Sequence, residues 1–75
     1  MNTDQPTWDF TSRELQIISY IQRGNSTKEI ADQLSVSEYT IKRHRQNISK
    51  KADVSGKTSF RRFIKNYRLP PQLEK

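Results

Sequence analysis

Apolar residues recur along the chain three or four positions apart, the spacing of amphipathic helices. The first such segment has four apolar positions, Leu15, Ile17, Ile18 and Ile21. Thr11 precedes it with Glu14 three residues later, the pattern of a capping box, in which each residue's side chain bonds the other's backbone N–H. Gly24 suits the left-handed position that commonly ends a helix. We therefore expect a first helix between Thr11 and Gly24.

Two further segments follow, joined by a short connection. Ser26 and Glu29 form a second capping box, and the helix they begin is expected to end near Leu34. Ser37 is the next candidate cap, ahead of a third helix over about 38–52. The apolar positions of that helix are few, Ile41, Ile48 and Ala52. So narrow a stripe packs along one edge and leaves the opposite face for another partner.

A fourth helix is predicted after a turn at 53–56. Thr58 is its expected cap, and Pro70 and Pro71 are expected to end it. Its apolar residues lie on one face, Phe60, Phe63, Ile64 and Tyr67. No strand pattern is present, so the sequence predicts an all-α fold, a compact four-helix domain over 10–69 that contains a helix-turn-helix. Residues 1–9 are expected to form a loose arm and residues 70–75 a tail.

Composition narrows the function classes. Seventy-five residues allow one small domain. The absence of cysteine excludes a disulfide framework and a thiolate metal site, and with a single histidine we expect no metal and no cofactor. No residues resemble a nucleophile or a cofactor loop, so we do not expect an enzyme. The longest apolar run is two residues, which predicts no membrane span and no signal peptide and suggests the cytoplasm.

Charge is distributed unevenly along the chain. Residues 1–38 carry three bases and six acids, a net charge of −3, whereas residues 39–75 carry 11 bases and two acids, a net charge of +9. No acid occurs between Glu38 and Asp53. A one-sided basic field attracts polyanions. From charge alone, nucleic acid, an anionic membrane surface and an acidic protein all remain possible partners.

The second and third helices, with about three residues between them, have the dimensions of a helix-turn-helix. The second helix of that unit enters the DNA major groove. It needs free backbone amides and cations for phosphates, and long polar side chains for base edges. The residues that supply these are Ser37, Thr40, Lys42, Arg43, Gln46, Asn47 and Lys50.

Taken in order, these segments resemble the LuxR/NarL/GerE-type DNA-binding domain of bacterial transcription regulators. The resemblance covers about residues 10–64. It is carried by Phe10-Thr11-x-Arg13-Glu14, Gly24, Lys28-Glu29-Ile30-Ala31-x-x-Leu34, Ser37-x-x-Thr40-Ile41-Lys42-x-His44, Asn47-Ile48, Lys51 and Val54. Each piece alone is weak, but together at matching separations they are specific.

The resemblance implies sequence-specific binding of double-stranded DNA, usually as a homodimer, to regulate transcription, with RNA polymerase as a further candidate partner. It implies that the helix over 38–52 is the recognition helix. Lys42, Arg43 and Gln46 fall where the family reaches base edges or adjacent phosphates. The positions that more often hold the DNA backbone are Thr27, Ser37, Thr40, Asn47 and Lys50. Related domains usually follow a receiver or ligand-sensing domain, and we expect no such sensor within these 75 residues.

Three departures from the family pattern bear on this interpretation. Ala52 stands where the family usually has a leucine, and its smaller side chain leaves space that Phe60 or Phe63 would fill. Asp53 stands where the family usually has glycine or a similar turn former, although Asp tolerates the left-handed conformation better than most residues. Arg61 and Arg62 replace small or apolar residues on the helix that makes the family's dimer contact. These two arginines argue against that dimer contact, or they shift it to the apolar face of the same helix, which consists of Phe60, Phe63, Ile64 and Tyr67.

Two alternatives stay open at this point. The first is a promoter-binding domain like region four of a sigma factor, which needs a polymerase partner. The second is a helical protein-interaction module that uses the 60–67 face and carries its charge for solubility. The glutamates Glu14 and Glu29 fit capping roles better than a catalytic carboxylate pair.

Overall fold

A computed structural model describes residues 10–69, which form four helices and contain no strand. The helices are α1, Ser12–Gln22; α2, Thr27–Leu34; α3, Glu38–Ala52; and α4, Lys57–Asn66. The predicted all-α class and four-helix count are confirmed. The predicted arm (1–9) and tail (70–75), with Pro70 and Pro71, lie outside the described residues.

Both predicted capping boxes are present. The backbone N–H of Glu14 donates to the Thr11 hydroxyl at 3.0 Å, and the backbone N–H of Thr11 donates to the Glu14 carboxylate at 2.9 Å. Ser26 and Glu29 repeat the arrangement at 3.1 and 2.8 Å ahead of α2. Each box satisfies two backbone groups that a helix start otherwise leaves unpaired, which fixes where α1 and α2 begin.

Left-handed residues end the first three helices. Gly24 follows α1 at φ 94°. Ser35 closes α2 and Asp53 closes α3, each at φ 58°. The turn at Asp53 therefore forms without the glycine that the family usually has there, at some conformational cost, because a residue with a Cβ adopts this conformation less readily.

The core is mainly isoleucine. Five isoleucines are completely buried, Ile17, Ile18, Ile30, Ile41 and Ile48. Full burial of one such side chain contributes about 1.5–3 kcal/mol relative to exposure. Ala31, Ile64 and Leu69 complete the core, and Leu15, Ile21 and Leu34 pack at its edge. Helix α3 packs against α2 and α1, and α4 packs against α1, so α3 rests on the other helices along its narrow apolar stripe.

The predicted bounds of the fourth helix are wrong at both ends. The cap is Gly56 at φ 85°, with no side-chain hydrogen bond, rather than Thr58, because the positive φ of this glycine turns the chain into the helix earlier. The helix ends at Asn66, before the prolines. The side-chain amide of Gln22 donates to the carbonyl oxygens of Ile64 at 2.9 Å and Tyr67 at 2.8 Å. These bonds satisfy carbonyls that a longer helix would have paired internally.

Candidate nucleic-acid interface

Helix α2, the connection 35–37 and α3 form the predicted helix-turn-helix. Ser37 caps α3 by accepting a hydrogen bond from the backbone N–H of Thr40 at 3.0 Å. The hydroxyl oxygens of Ser37 and Thr40 also lie 3.0 Å apart. Two of the predicted DNA-binding residues are therefore ordered at the amino end of α3, where unpaired N–H groups and the helix dipole favour a phosphate.

The side of α3 opposite the buried Ile41 and Ile48 is exposed. Positions about one helical turn apart share a face of a helix. Four residues on this side of α3 follow one another at steps of four, three and four positions. We call them the outward face of α3: Tyr39, Arg43, Gln46 and Lys50. Three were predicted DNA-binding residues, and all are exposed. Long polar and cationic side chains on one unobstructed face are what base and phosphate contacts require.

The remaining predicted residues lie beside that face or apart from it. Lys42 is exposed next to it, whereas Asn47 is partly buried on its other flank. Thr27 is the first residue of α2 and is partly buried. No hydrogen bond within residues 10–69 joins Thr27 to α3. The structure thus gathers seven of the eight predicted residues on α3 and its cap, and places the eighth on α2.

Tyr39 is a member of the outward face that sequence reasoning missed. It is 67% exposed, unusually high for a large aromatic residue. The Arg43 guanidinium donates to its hydroxyl at 3.3 Å and lies 6.0 Å from its ring centroid. The signal in the sequence was an aromatic residue four positions before an arginine on a helix with few apolar residues. These contacts with Tyr39 limit the orientations that the Arg43 side chain adopts.

An ion pair joins α3 to α1 on the other side. The ammonium of Lys51 donates to the Glu14 carboxylate at 2.7 Å, and the Glu14 side chain is only 4% exposed. Burial, the largest single influence, raises the pKa of Glu14. The hydrogen bonds from Lys51 and Thr11 together outweigh it, so the pKa lies below its ordinary value. A buried carboxylate thus stays ionised and holds the carboxyl end of α3 in place.

The four residues predicted for dimerisation all take part in the packing of the single chain. Ile64 is 3% exposed and belongs to the core, so in this packing it offers almost no surface to a dimer partner. The rings of Phe63 and Tyr67 pack with Phe10, with centroids 5.5–6.0 Å apart. Phe60 lies beneath the Arg45 guanidinium at 5.1 Å. An apolar helix face serves a core or a partner equally well, so its pattern alone could not distinguish the two.

Comparison with known proteins identifies the family to which this helix-turn-helix belongs. The profile of the family described as "Bacterial regulatory proteins, luxR family" matches residues 9–63, most of the chain. The chain belongs to this luxR family. It is therefore a helix-turn-helix DNA-binding domain of the kind found in transcriptional regulators, as the sequence predicted. The family is one of transcription-regulator DNA-binding domains and is not enzymatic.

Individual relatives agree with this membership. The chain is 35% identical over 68 residues to the uncharacterized transcriptional regulatory protein YhcZ of Bacillus subtilis, covering 91% of this chain and 32% of YhcZ. It is 42% identical over 53 residues to the transcriptional regulatory protein LiaR of the same organism, and the match covers 71% of this chain and 25% of LiaR. It is 38% identical over 53 residues to the regulatory protein SdiA of Escherichia coli, and the match covers 71% of this chain and 22% of SdiA. The luxR-family chain thus spans about a third or less of these relatives. No solved structure gives a significant match.

Two other site classes find no support in the described part of the luxR-family chain. Among residues 10–69, no three His, Cys, Asp or Glu side chains come together in a group that could hold a metal ion. None of the four helices is long and apolar enough to cross a bilayer.

Proposed function

We propose that α3 is the recognition helix and that its outward face enters the major groove of double-stranded DNA to read a specific sequence. The single observation that carries this proposal is the composition of that face. It presents a tyrosine, an arginine, a glutamine and a lysine, with Lys42 beside them, and no acid lies between Glu38 and Asp53. Such a face meets a polyanion without a repelling carboxylate and has donors for base edges.

We assign different roles to the individual residues. Arg43 and Gln46 lie at the middle of the outward face, and we propose that they contact base edges, with Lys42 contacting a base edge or an adjacent phosphate. Ser37, Thr40, Asn47 and Lys50 are proposed to hold the DNA backbone, together with Thr27 at the start of α2. Base contacts specify sequence, whereas phosphate contacts position the protein. The two groups of residues therefore predict different mutational signatures.

Duplex DNA of random sequence tests the proposal directly. The chain is titrated against this pool over a salt series, and the bound fraction is sequenced. A specific recognition helix enriches a motif, and its affinity falls steeply with salt because bound cations release counterions. A salt-dependent affinity without any enriched motif would mean that the basic charge binds DNA without reading it.

We further propose that two copies bind paired half-sites as a homodimer. Among the predicted contact residues, Phe63 and Tyr67 are the better candidates, because Ile64 is buried and the Arg45 guanidinium lies over part of the Phe60 ring. Half-sites for such a pair lie about one helical turn apart. Insertion of about half a turn of DNA between them should abolish paired binding, and unchanged binding would exclude a dimer with fixed geometry.

RNA polymerase is the proposed further partner, and the cytoplasm the proposed location, since bacterial DNA and polymerase are found there. The support is membership of a family of transcription regulators. Retention of polymerase by the DNA-bound chain but not by the chain without DNA is the expected result of a pull-down. Retention of core polymerase by the isolated chain would instead favour direct promoter recognition together with the enzyme.

A further inference from the structure

A second basic surface lies on the flank of α3. A groove of about 540 Å³ opens between the carboxyl end of α1, the middle of α3 and the length of α4. Four cationic residues and no acid line it, Arg45, Lys57, Arg61 and Lys65. We call this the flank groove. Arg45 is two positions from Arg43, about 200° around the helix, so the groove opens on a different side of α3 from Arg43. It adjoins the outward face at Gln46, because Arg45, Lys57 and Phe60 also line a smaller pocket with Lys42 and Gln46.

The floor of the flank groove is apolar. Phe60 and Ile64 lie between the cationic residues, and Ile21 and Tyr67 close one end. A DNA backbone offers charge but little apolar surface to cover such a floor. A protein segment with carboxylates around an aliphatic or aromatic side chain can pair with the cationic residues and also cover the apolar floor. The volume lies within the range of pockets that enclose a small ligand or a few side chains.

Arg45 is the most constrained of the four cations. Its guanidinium lies 5.1 Å from the centroid of the Phe60 ring, and it pairs with no carboxylate within residues 10–69. Burial lowers its pKa, although arginine stays charged. A partly desolvated cation without an anionic partner gains more from an incoming carboxylate than a fully solvated one.

The spacing along α4 adds a geometric condition. Lys57, Arg61 and Lys65 are four residues apart, so they stand one turn from each other, about 6 Å along the helix. Carboxylates four residues apart on a partner helix have the same repeat. We propose that the flank groove binds an acidic amphipathic helical segment of another protein, its carboxylates facing this cationic row and an apolar side chain packed against the part of the Phe60 ring that Arg45 leaves exposed.

A defined peptide tests the proposal without involving DNA. The probe is a fluorescein-labelled 16-residue peptide with Glu at every fourth position and Leu on the adjoining positions of the same face. A scrambled peptide of equal composition, in which the carboxylates no longer share a face, is its control. We expect saturable binding of the first peptide only, with the largest NMR amide shifts at Phe60, Arg61, Ile64 and Lys65.

Adjacent arginines provide matched variants. Arg61 lines the flank groove, whereas its exposed neighbour Arg62 does not line it. Arg61→Glu and Arg62→Glu change the net charge equally, and circular dichroism checks that both stay helical. Arg61→Glu should weaken peptide binding at least tenfold, and Arg62→Glu no more than about threefold. Lys65→Glu should behave like Arg61→Glu.

Several results would overturn the proposal. They are equal weakening by the two arginine variants, amide shifts confined to the outward face of α3, and equal binding of the scrambled peptide. Loss of duplex DNA affinity in Arg61→Glu as large as in Arg43→Ala would make the groove a DNA surface. Self-association of the chain that Arg61→Glu abolishes would make the occupant a second copy. Because the peptide assay contains no DNA, its failure leaves the DNA-binding proposal to its own test.

Discussion

The carboxylate of Glu14 on α1 accepts a hydrogen bond from the ammonium of Lys51 on α3 at 2.7 Å, while the same oxygen accepts the backbone N–H of Thr11 at 2.9 Å. One buried group therefore begins α1 and anchors the carboxyl end of the recognition helix. The orientation of the outward face depends on this pair, because α3 has only a narrow apolar stripe to hold it.

Glu14→Gln should lower the free energy of unfolding by about 1.5–3 kcal/mol, the usual effect of losing hydrogen bonds to a charged group. Glu29→Gln is the matched control, because Glu29 occupies the same place in the capping box of α2 but is exposed. Glu29→Gln should lower the free energy of unfolding by well under half as much as Glu14→Gln. Urea denaturation of both variants measures the difference, and equal losses would mean that the ion pair with Lys51 adds nothing.

The same carboxylate predicts a pH dependence. The pKa of Glu14 in the folded chain lies below its ordinary value of 4.5. Its ionised form is thus favoured by folding, so its contribution is complete above 4.5 and is lost as the pH falls through the lower folded pKa. Unfolding free energy measured from pH 6 to pH 2 should fall less steeply for Glu14→Gln than for the unchanged chain. Parallel curves would contradict this role.

Asp53→Gly should stabilise the chain by up to about 1 kcal/mol. Asp53 has a left-handed backbone at φ 58°, which glycine adopts without steric cost, and its negative charge lies at the unfavourable end of the helix dipole. Asp53→Asn removes only the charge and should give a smaller gain. A lower melting temperature for Asp53→Gly would show that the Asp side chain makes a stabilising contact in this turn.

Gln22→Ala should loosen the end of α4 by about 1–2 kcal/mol, because it removes the side-chain amide that donates to the carbonyls of Ile64 and Tyr67. Amide hydrogen exchange at residues 64–69 should accelerate, while exchange in α2 stays unchanged. Gln33→Ala is the control, since Gln33 is exposed and makes no hydrogen bond within the described residues. Similar exchange in both variants would exclude Gln22 as the anchor.

Much of this fold could be predicted from local sequence signals. The capping boxes at Thr11 and Ser26, and the cap at Ser37, act within a few residues, so their spacing is visible in the chain. The Gln22 bonds and the Glu14–Lys51 pair join residues 37 to 45 positions apart, and no local pattern encodes them. That is why the end of α4 was misplaced and Glu14 was assigned only to a cap.

The candidate site was predictable to a similar degree. Helical periodicity places Arg43, Gln46 and Lys50 on one face once the helix is known. It does not show that Tyr39 is exposed or that Arg43 rests against it, because this depends on what the other helices leave uncovered. Nor does periodicity show that Ile64, a predicted dimer residue, is buried in the core of the single chain.

Selection of random duplex DNA with the unchanged chain, Arg43→Ala and Lys50→Ala tests the central claim most directly. We expect the unchanged chain to enrich a paired, inverted motif. Arg43→Ala should lose preference at one base position by about 1–3 kcal/mol. Lys50→Ala should weaken all sequences alike and reduce the salt slope by about one. An identical enriched motif for Arg43→Ala, or none for the unchanged chain, would contradict the assignment of α3 as the helix that reads DNA.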